Sequence, residues 1–122
     1  MRTFHVGCRV ENPKDRSRSV HLPKLLVDTG SDYTLVAAAK LEQIGVQREK
    51  KDLPFATANG QVVTRSVGFA ILRVAKAFTI DEVVFAEPGD SLPLGARTLA
   101  GLGLAVDNKR KRLVAAGPRT AA

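Results

Sequence analysis

Short apolar runs recur along this chain, and each is cut off within a few residues by Gly, Pro, Asn or Asp. That pattern constrains the fold most, because short alternating runs between turn signals build strands rather than long helices. Residues 3–10, 19–27, 66–74 and 78–85 read as strands, with 11–18 as a polar turn between the first two. Pro23 interrupts the second run and predicts an edge position or a bulge, since proline offers no N–H to a ladder. Asn59-Gly60, between Phe55–Ala58 and Gln61–Thr64, is a hairpin signal that predicts a two-residue type I′ turn. Residues 48–52 read as a solvated turn. Residues 37–44 have helical composition with Gly45 as a stop, and 97–103 suit a short helix. Residues 104–107 and 112–115 flank a basic turn.

The sum predicts one all-β, barrel-like domain over residues 1–116, with 117–122 a frayed tail. At 122 residues with 44% hydrophobic content, a core can form without disulfides or metals. Aromatics are scarce, so that core must be aliphatic. The single cysteine, Cys8, cannot form an internal disulfide and reads as a small core residue. No Cys/His cluster has metal-ligand spacing, and no metal or cofactor is called for. The first residues contain no apolar segment of the signal-peptide kind, and no run approaches the ~20 apolar residues of a membrane span. The expectation is a cytoplasmic protein with no membrane partner.

The net charge of +7 allows polyanion binding but does not require it. Lys109-Arg110-Lys111-Arg112 lies between two apolar segments and reads as a solvated hairpin turn, so a nucleic-acid partner is not expected. His5 and His21 lack triad partners and read as structural or surface residues.

The segment that carries chemistry is Leu25-Leu26-Val27-Asp28-Thr29-Gly30-Ser31. Three apolar residues deliver a carboxylate into a turn at the end of a buried strand. A charge so placed is costly unless it is hydrogen-bonded, paired or functional. The amides of Gly30 and Ser31 are positioned to point at it, and Gly30 permits close approach of another backbone. The tripeptide alone is weak, since average composition produces it in roughly one chain in forty of this length. Its placement after an apolar run, followed by an Asn-Gly hairpin and by Leu92-Pro93-Leu94-Gly95, is more specific.

Together these segments resemble the retropepsin family, the retroviral-type aspartic proteases, including their small bacterial single-domain members. Leu26–Ser31 resembles the catalytic loop, Thr57–Gln61 the tip of the substrate-covering flap, and Leu92–Gly95 the element that passes beneath the loop. Residues 96–107 resemble the C-terminal helix and closing strand. The resemblance implies a small closed β-barrel with one short C-terminal helix. It also implies an aspartic endopeptidase with Asp28, Thr29 and Gly30 as catalytic residues, and Ser31, Asp32, Ala58, Asn59 and Gly60 against a peptide or protein substrate. Val62, Leu35 and Leu94 are candidates for apolar subsites.

Peptide hydrolysis by carboxylates needs a base for water and an acid for the carbonyl oxygen. Two carboxylates sharing one proton supply both. With one Asp-Thr-Gly per chain, two copies must meet at a two-fold axis, so activity requires a homodimer. A catalytically silent dimeric peptide- or protein-binding module of the same fold is the alternative, and a basic nucleic-acid-binding β-domain is a third reading. Two departures from retroviral members stand out. Ser31 replaces the usual Ala, and its hydroxyl is expected to bond the outer oxygen of Asp28 and shift activity toward acid. Ala96 stands where Arg usually follows the glycine, with Arg97 next.

Overall fold

A computed structural model of the chain describes residues 3–121. Among them are nine strands and two short helices. Strands β1 (His5–Asn12) and β2 (Asp15–Val27) form an antiparallel hairpin. The turn predicted over 11–18 is reduced to Pro13-Lys14, and both strands run further. Glu11 stays in the ladder because its carboxylate is buried between Arg9 and Arg73, at 3.2 and 2.7 Å. Asn12 tightens the turn by accepting the Lys14 N–H through its side chain (2.8 Å). Pro23 sits at a register shift, where Val6 faces Leu25 and Cys8 faces Leu22, the bulge expected of a proline inside a strand.

After β3 (Thr34–Ala37) and α1 (Ala38–Gln43), β4 (Lys50–Ala56) and β5 (Val62–Val74) form a long hairpin. β6 (Ala77–Ala86) returns antiparallel along β5. β7 (Pro93–Leu94) pairs in parallel with β2, and β3 pairs in parallel with β6. The sheet order is β3-β6-β5-β1-β2-β7, with β4 also on β5. Helix α2 (Ala96–Leu102) leads into a separate two-stranded sheet of β8 (Leu104–Asp107) and β9 (Arg112–Ala115).

Three further sequence expectations change. Residues 50–52 belong to β4, with a bulge that places Asp52 at φ 57°, so the predicted solvated turn is shorter. The two short helices lie where expected, α1 within 37–44 and α2 within one residue of 97–103. The Asn59-Gly60 loop is not a type I′ turn, because Gly60 (φ 84°) has positive φ and Asn59 does not. Thr57 N–H bonds Gln61 O (2.8 Å) and Gly60 N–H bonds Thr57 O (2.9 Å), a three-residue loop with glycine at the left-handed position. Asn59 supports it from within, its side-chain oxygen meeting Thr57 Oγ1 and the Gln61 N–H.

The third concerns closure. Among the described residues no backbone ladder joins the sheet's two ends, β3 and β7, into a closed barrel. β7 is two residues long and begins with a proline, so it has few groups left to pair on a second side. The ends meet instead through a side chain, the Gly95 N–H donating to Thr34 Oγ1 at 2.9 Å.

The core is aliphatic, as composition requires. Val10, Val36, Leu41, Leu72, Val83 and Leu94 are fully buried, with Phe85 the one aromatic among the largest buried side chains. Cys8 lies in this core, and burial pushes its thiol up to about 12.

At Gly95 the chain after β7 presses directly on the Asp28 loop. A Cβ there would lie 2.5 Å from the Tyr33 carbonyl oxygen and 2.9 Å from that of Asp32, both backbone atoms. Gly95→Ala should therefore cost about 3 kcal/mol of stability. Urea unfolding measures this, and an unchanged midpoint would show that the loop gives way without strain.

Candidate active site

Strand β2 ends at buried Val27, and the chain turns at Asp28. The turn is tied to the Leu92–Arg97 segment by main-chain bonds on both sides of the carboxylate. Leu26 N–H bonds Leu92 O (3.1 Å), and Asp28 N–H bonds Leu94 O (3.2 Å). Beyond the turn, Ala96 N–H bonds Ser31 O (2.7 Å), and Arg97 N–H bonds Asp32 O (3.2 Å). Asp28 is half-buried, whereas Thr29 and Gly30 are exposed on the outer side of the loop.

The two predicted amide contacts to Asp28 divide. Gly30 N–H donates to Asp28 Oδ1 at 2.9 Å. Ser31 N–H goes to the Asp28 backbone carbonyl at 3.2 Å, closing the turn. The Ser31 hydroxyl donates to Tyr33 O (2.9 Å) instead of to the outer oxygen of Asp28. That bond holds the loop's exit and takes away the basis for an acid shift from Ser31. Asp32 is exposed, and the bond described for it is the one its carbonyl accepts from Arg97.

A buried relay fixes the segment beneath the loop. Thr98 Oγ1 donates to Asp81 Oδ2 (2.9 Å) and lies 2.6 Å from Thr34 Oγ1. With the Thr98 proton committed to a carboxylate, Thr34 must be the donor in that second bond. Thr34 Oγ1 then accepts the Gly95 N–H. Arg97, the displaced arginine, also serves the loop. Its guanidinium lies 4.6 Å from the Tyr33 ring centre and 3.3 Å from Glu82. Tyr33 in turn meets Phe55 edge-on, with ring centres 5.2 Å apart.

Asp28 opens into a cleft of about 500 Å³ that runs beneath the β4–β5 hairpin. Ala58 and Asn59 line it from the hairpin, so the structure brings these two predicted residues together with Asp28. Gly60, Thr29, Gly30, Ser31 and Asp32 do not line it in the single chain. Of the three apolar candidates Leu35 lines the cleft, Leu94 is buried beneath the loop, and Val62 faces solvent at 68% exposure. Phe55, Val63, Val84, Arg65 and Asp90 complete the walls and were not singled out from sequence. Strand alternation carried part of that signal, because Val63 and Arg65 must share a face. Asp90, in a polar loop, carries no comparable local signal.

Arg65 grips Asp90 with a two-pronged ion pair, Nε to Oδ2 and Nη2 to Oδ1, both 2.8 Å. The guanidinium beside it holds the Asp90 carboxyl below the usual carboxylate range. No cluster able to hold a metal ion is found among the described residues. No helix among them is long and apolar enough to cross a membrane.

The family described as "gag-polyprotein putative aspartyl protease" matches residues 21–111, about three quarters of the chain. The matched span runs from β2 through the Asp28 loop, the hairpin and α2 to the basic turn. The chain belongs to this retropepsin-like aspartyl protease family. No curated protein matches it.

Two outcomes test the site's construction. Thr98→Val should cost about 2 kcal/mol, because it strips a partner from buried Thr34 and from half-buried Asp81. Adding Thr34→Val should cost less than the sum of the two single changes, measured by chemical denaturation; full additivity would mean the relay is not one unit. Asp90 supplies the second. Its folded pKa is lowered, so its contribution is present above the ordinary carboxylate value of about 3.9 and is lost as pH falls through the folded value. Asp90→Asn should therefore be less stable than wild type at pH 7, with the gap closing only in strong acid. A pH-independent gap would contradict the ion pair.

Proposed function

We propose that the chain is an aspartic endopeptidase whose catalytic dyad is Asp28 from each of two copies, meeting at a homodimer axis. Membership of the family supports a protease-type fold and site. The observation that carries the reading is the disposition of carboxylates in the cleft. Two acids line it, and Asp90 is spent on Arg65. Asp28 has no cationic partner among the described residues, and one backbone amide holds one of its oxygens. A lone carboxylate cannot be acid and base at once, so the second must come from another chain. The exposed faces of Thr29 and Gly30 beside it leave room for that chain's loop.

In this reading one Asp28 is ionised and takes a proton from water. The other is protonated and gives its proton to the scissile carbonyl oxygen, and the two exchange roles as the tetrahedral intermediate collapses. The Gly30 amide holds one oxygen of the carboxylate and fixes its orientation. Thr29 bonds across the axis and fixes the two loops against each other. Gly30 lets the peptide backbone approach. Ser31 acts by fixing the loop's exit, and Asp32 lies beside the peptide main chain. Ala58, Asn59 and Gly60 form the tip of a flap that covers an extended peptide and excludes water. The substrate is a peptide or protein, bound mainly through its backbone with side chains in alternating pockets; Leu35, Val63 and Val84 make the pocket nearest Asp28 apolar.

A peptide-library digest between pH 3 and 8 tests this. Asp28→Asn should lower kcat by about 10³-fold or more. Specific activity of the wild type should rise with protein concentration until the dimer saturates. Wild-type cleavage that survives Asp28→Asn would refute the assignment. Absence of any cleavage by a dimeric wild type would leave a peptide-binding module.

A further inference from the structure

The ion pair in the cleft wall ties the hairpin to the wall loop beyond the last β5–β6 pair, Val67 with Val84. Arg65 lies on β5, the strand that returns from the hairpin tip, and Asp90 lies in the loop that forms the opposite wall. The wall loop is itself folded around the same carboxylate. Asp90 Oδ2 accepts the Glu87 N–H (2.9 Å), and the Asp90 N–H bonds Glu87 O (3.0 Å). Arg65 is fully engaged in this frame. Its Nη1 donates to Thr64 O (2.8 Å) and lies 3.4 Å from Glu87 Oε2. The Arg65 and Asp90 side chains are 15% and 21% exposed, so solvent and salt screen the pair weakly.

Toward the tip from Arg65, the hairpin's hydrogen bonds among the described residues are all internal: the β4–β5 ladder and the Thr57, Asn59 and Gln61 contacts of the loop. Phe55, which pairs with Val63 nearer the tip than Arg65, also meets Tyr33, but that contact is apolar. The Arg65–Asp90 pair is thus the outermost polar tie between hairpin and body. From this geometry we infer that Arg65 and Asp90 are a positioning pair, a latch that sets how the flap lies over Asp28 and so governs peptide affinity rather than bond cleavage. The inference rests on the flap reading above. Neither residue reaches the reacting atoms. An extended peptide threaded between hairpin and wall is held by both, and the latch fixes their spacing before the peptide arrives. Losing it removes binding shared by ground and transition states, which raises KM and spares kcat.

The test has two arms on the full-length protein. In the absence of peptide, amide hydrogen exchange over residues 53–64 should be about tenfold faster in Asp90→Asn than in wild type. With a peptide substrate, KM should rise about tenfold while kcat stays within about twofold. The exchanged pair Arg65→Asp/Asp90→Arg should recover part of both effects. Arg65→Lys keeps the charge but loses the fork, and should fall between wild type and Asp90→Asn; it decides the matter if the other variants fail to fold. Unchanged exchange, or a fall in kcat at constant KM, overturns the latch. A wild type that cleaves no peptide defeats the protease reading instead, and the exchange arm still decides the latch.

Discussion

The short span of main chain from Leu92 to Arg97 holds the site together. It binds the strand entering the Asp28 loop through Leu92 O and Leu94 O, and the chain leaving the loop through Ala96 N–H and Arg97 N–H. The loop is thereby pinned on both sides of the carboxylate by main-chain bonds, which no side-chain substitution removes directly. Gly95 allows this because no side chain fits between it and the Tyr33 carbonyl. The Thr34–Thr98–Asp81 relay then anchors Gly95 to β6. A carboxylate at the end of a buried strand is costly to hold, and this frame lets the chain hold it open to the cleft rather than neutralise it with a cation.

Charge is distributed around the cleft in the opposite way. Arg65 and Asp90 neutralise one another, and Arg97 is engaged with Tyr33 and Glu82. Among the described residues Asp28 is left as the cleft's one carboxylate without a partner cation. Main-chain bonds beneath the carboxylate and an ion pair at the β4–β5 hairpin give each part its own restraint.

Much of this was legible in the sequence, and the failures have physical causes. The strands of the central sheet follow from apolar runs and turn residues, and the Pro23 bulge from a missing N–H. Asp28 stood out because LLV delivers it into a turn. The polar ends of β1 and β2 were read as turn because local polarity cannot reveal that Glu11 finds Arg73 across a different strand. The Asn-Gly loop took another turn geometry because the Asn59 side chain satisfies Thr57 and Gln61. Ser31 bonds Tyr33 rather than Asp28, a choice between near-equal local acceptors that composition cannot make. Sheet closure depended on β7 being too short to pair twice. The latch was invisible because its partners are distant in sequence and ordinary in type. Arg97 was noticed as displaced by one residue, but its stacking on Tyr33 needed the turn of α2 to bring the two together.

The central claim is that two chains contribute one Asp28 each, and subunit mixing tests it most directly. Wild type and Asp28→Asn are mixed in varying ratio at constant total protein, allowed to exchange subunits, and assayed with one peptide. The account predicts activity proportional to the square of the wild-type fraction, because mixed dimers lack one carboxylate. Activity linear in that fraction would mean that each chain works alone, and would contradict it.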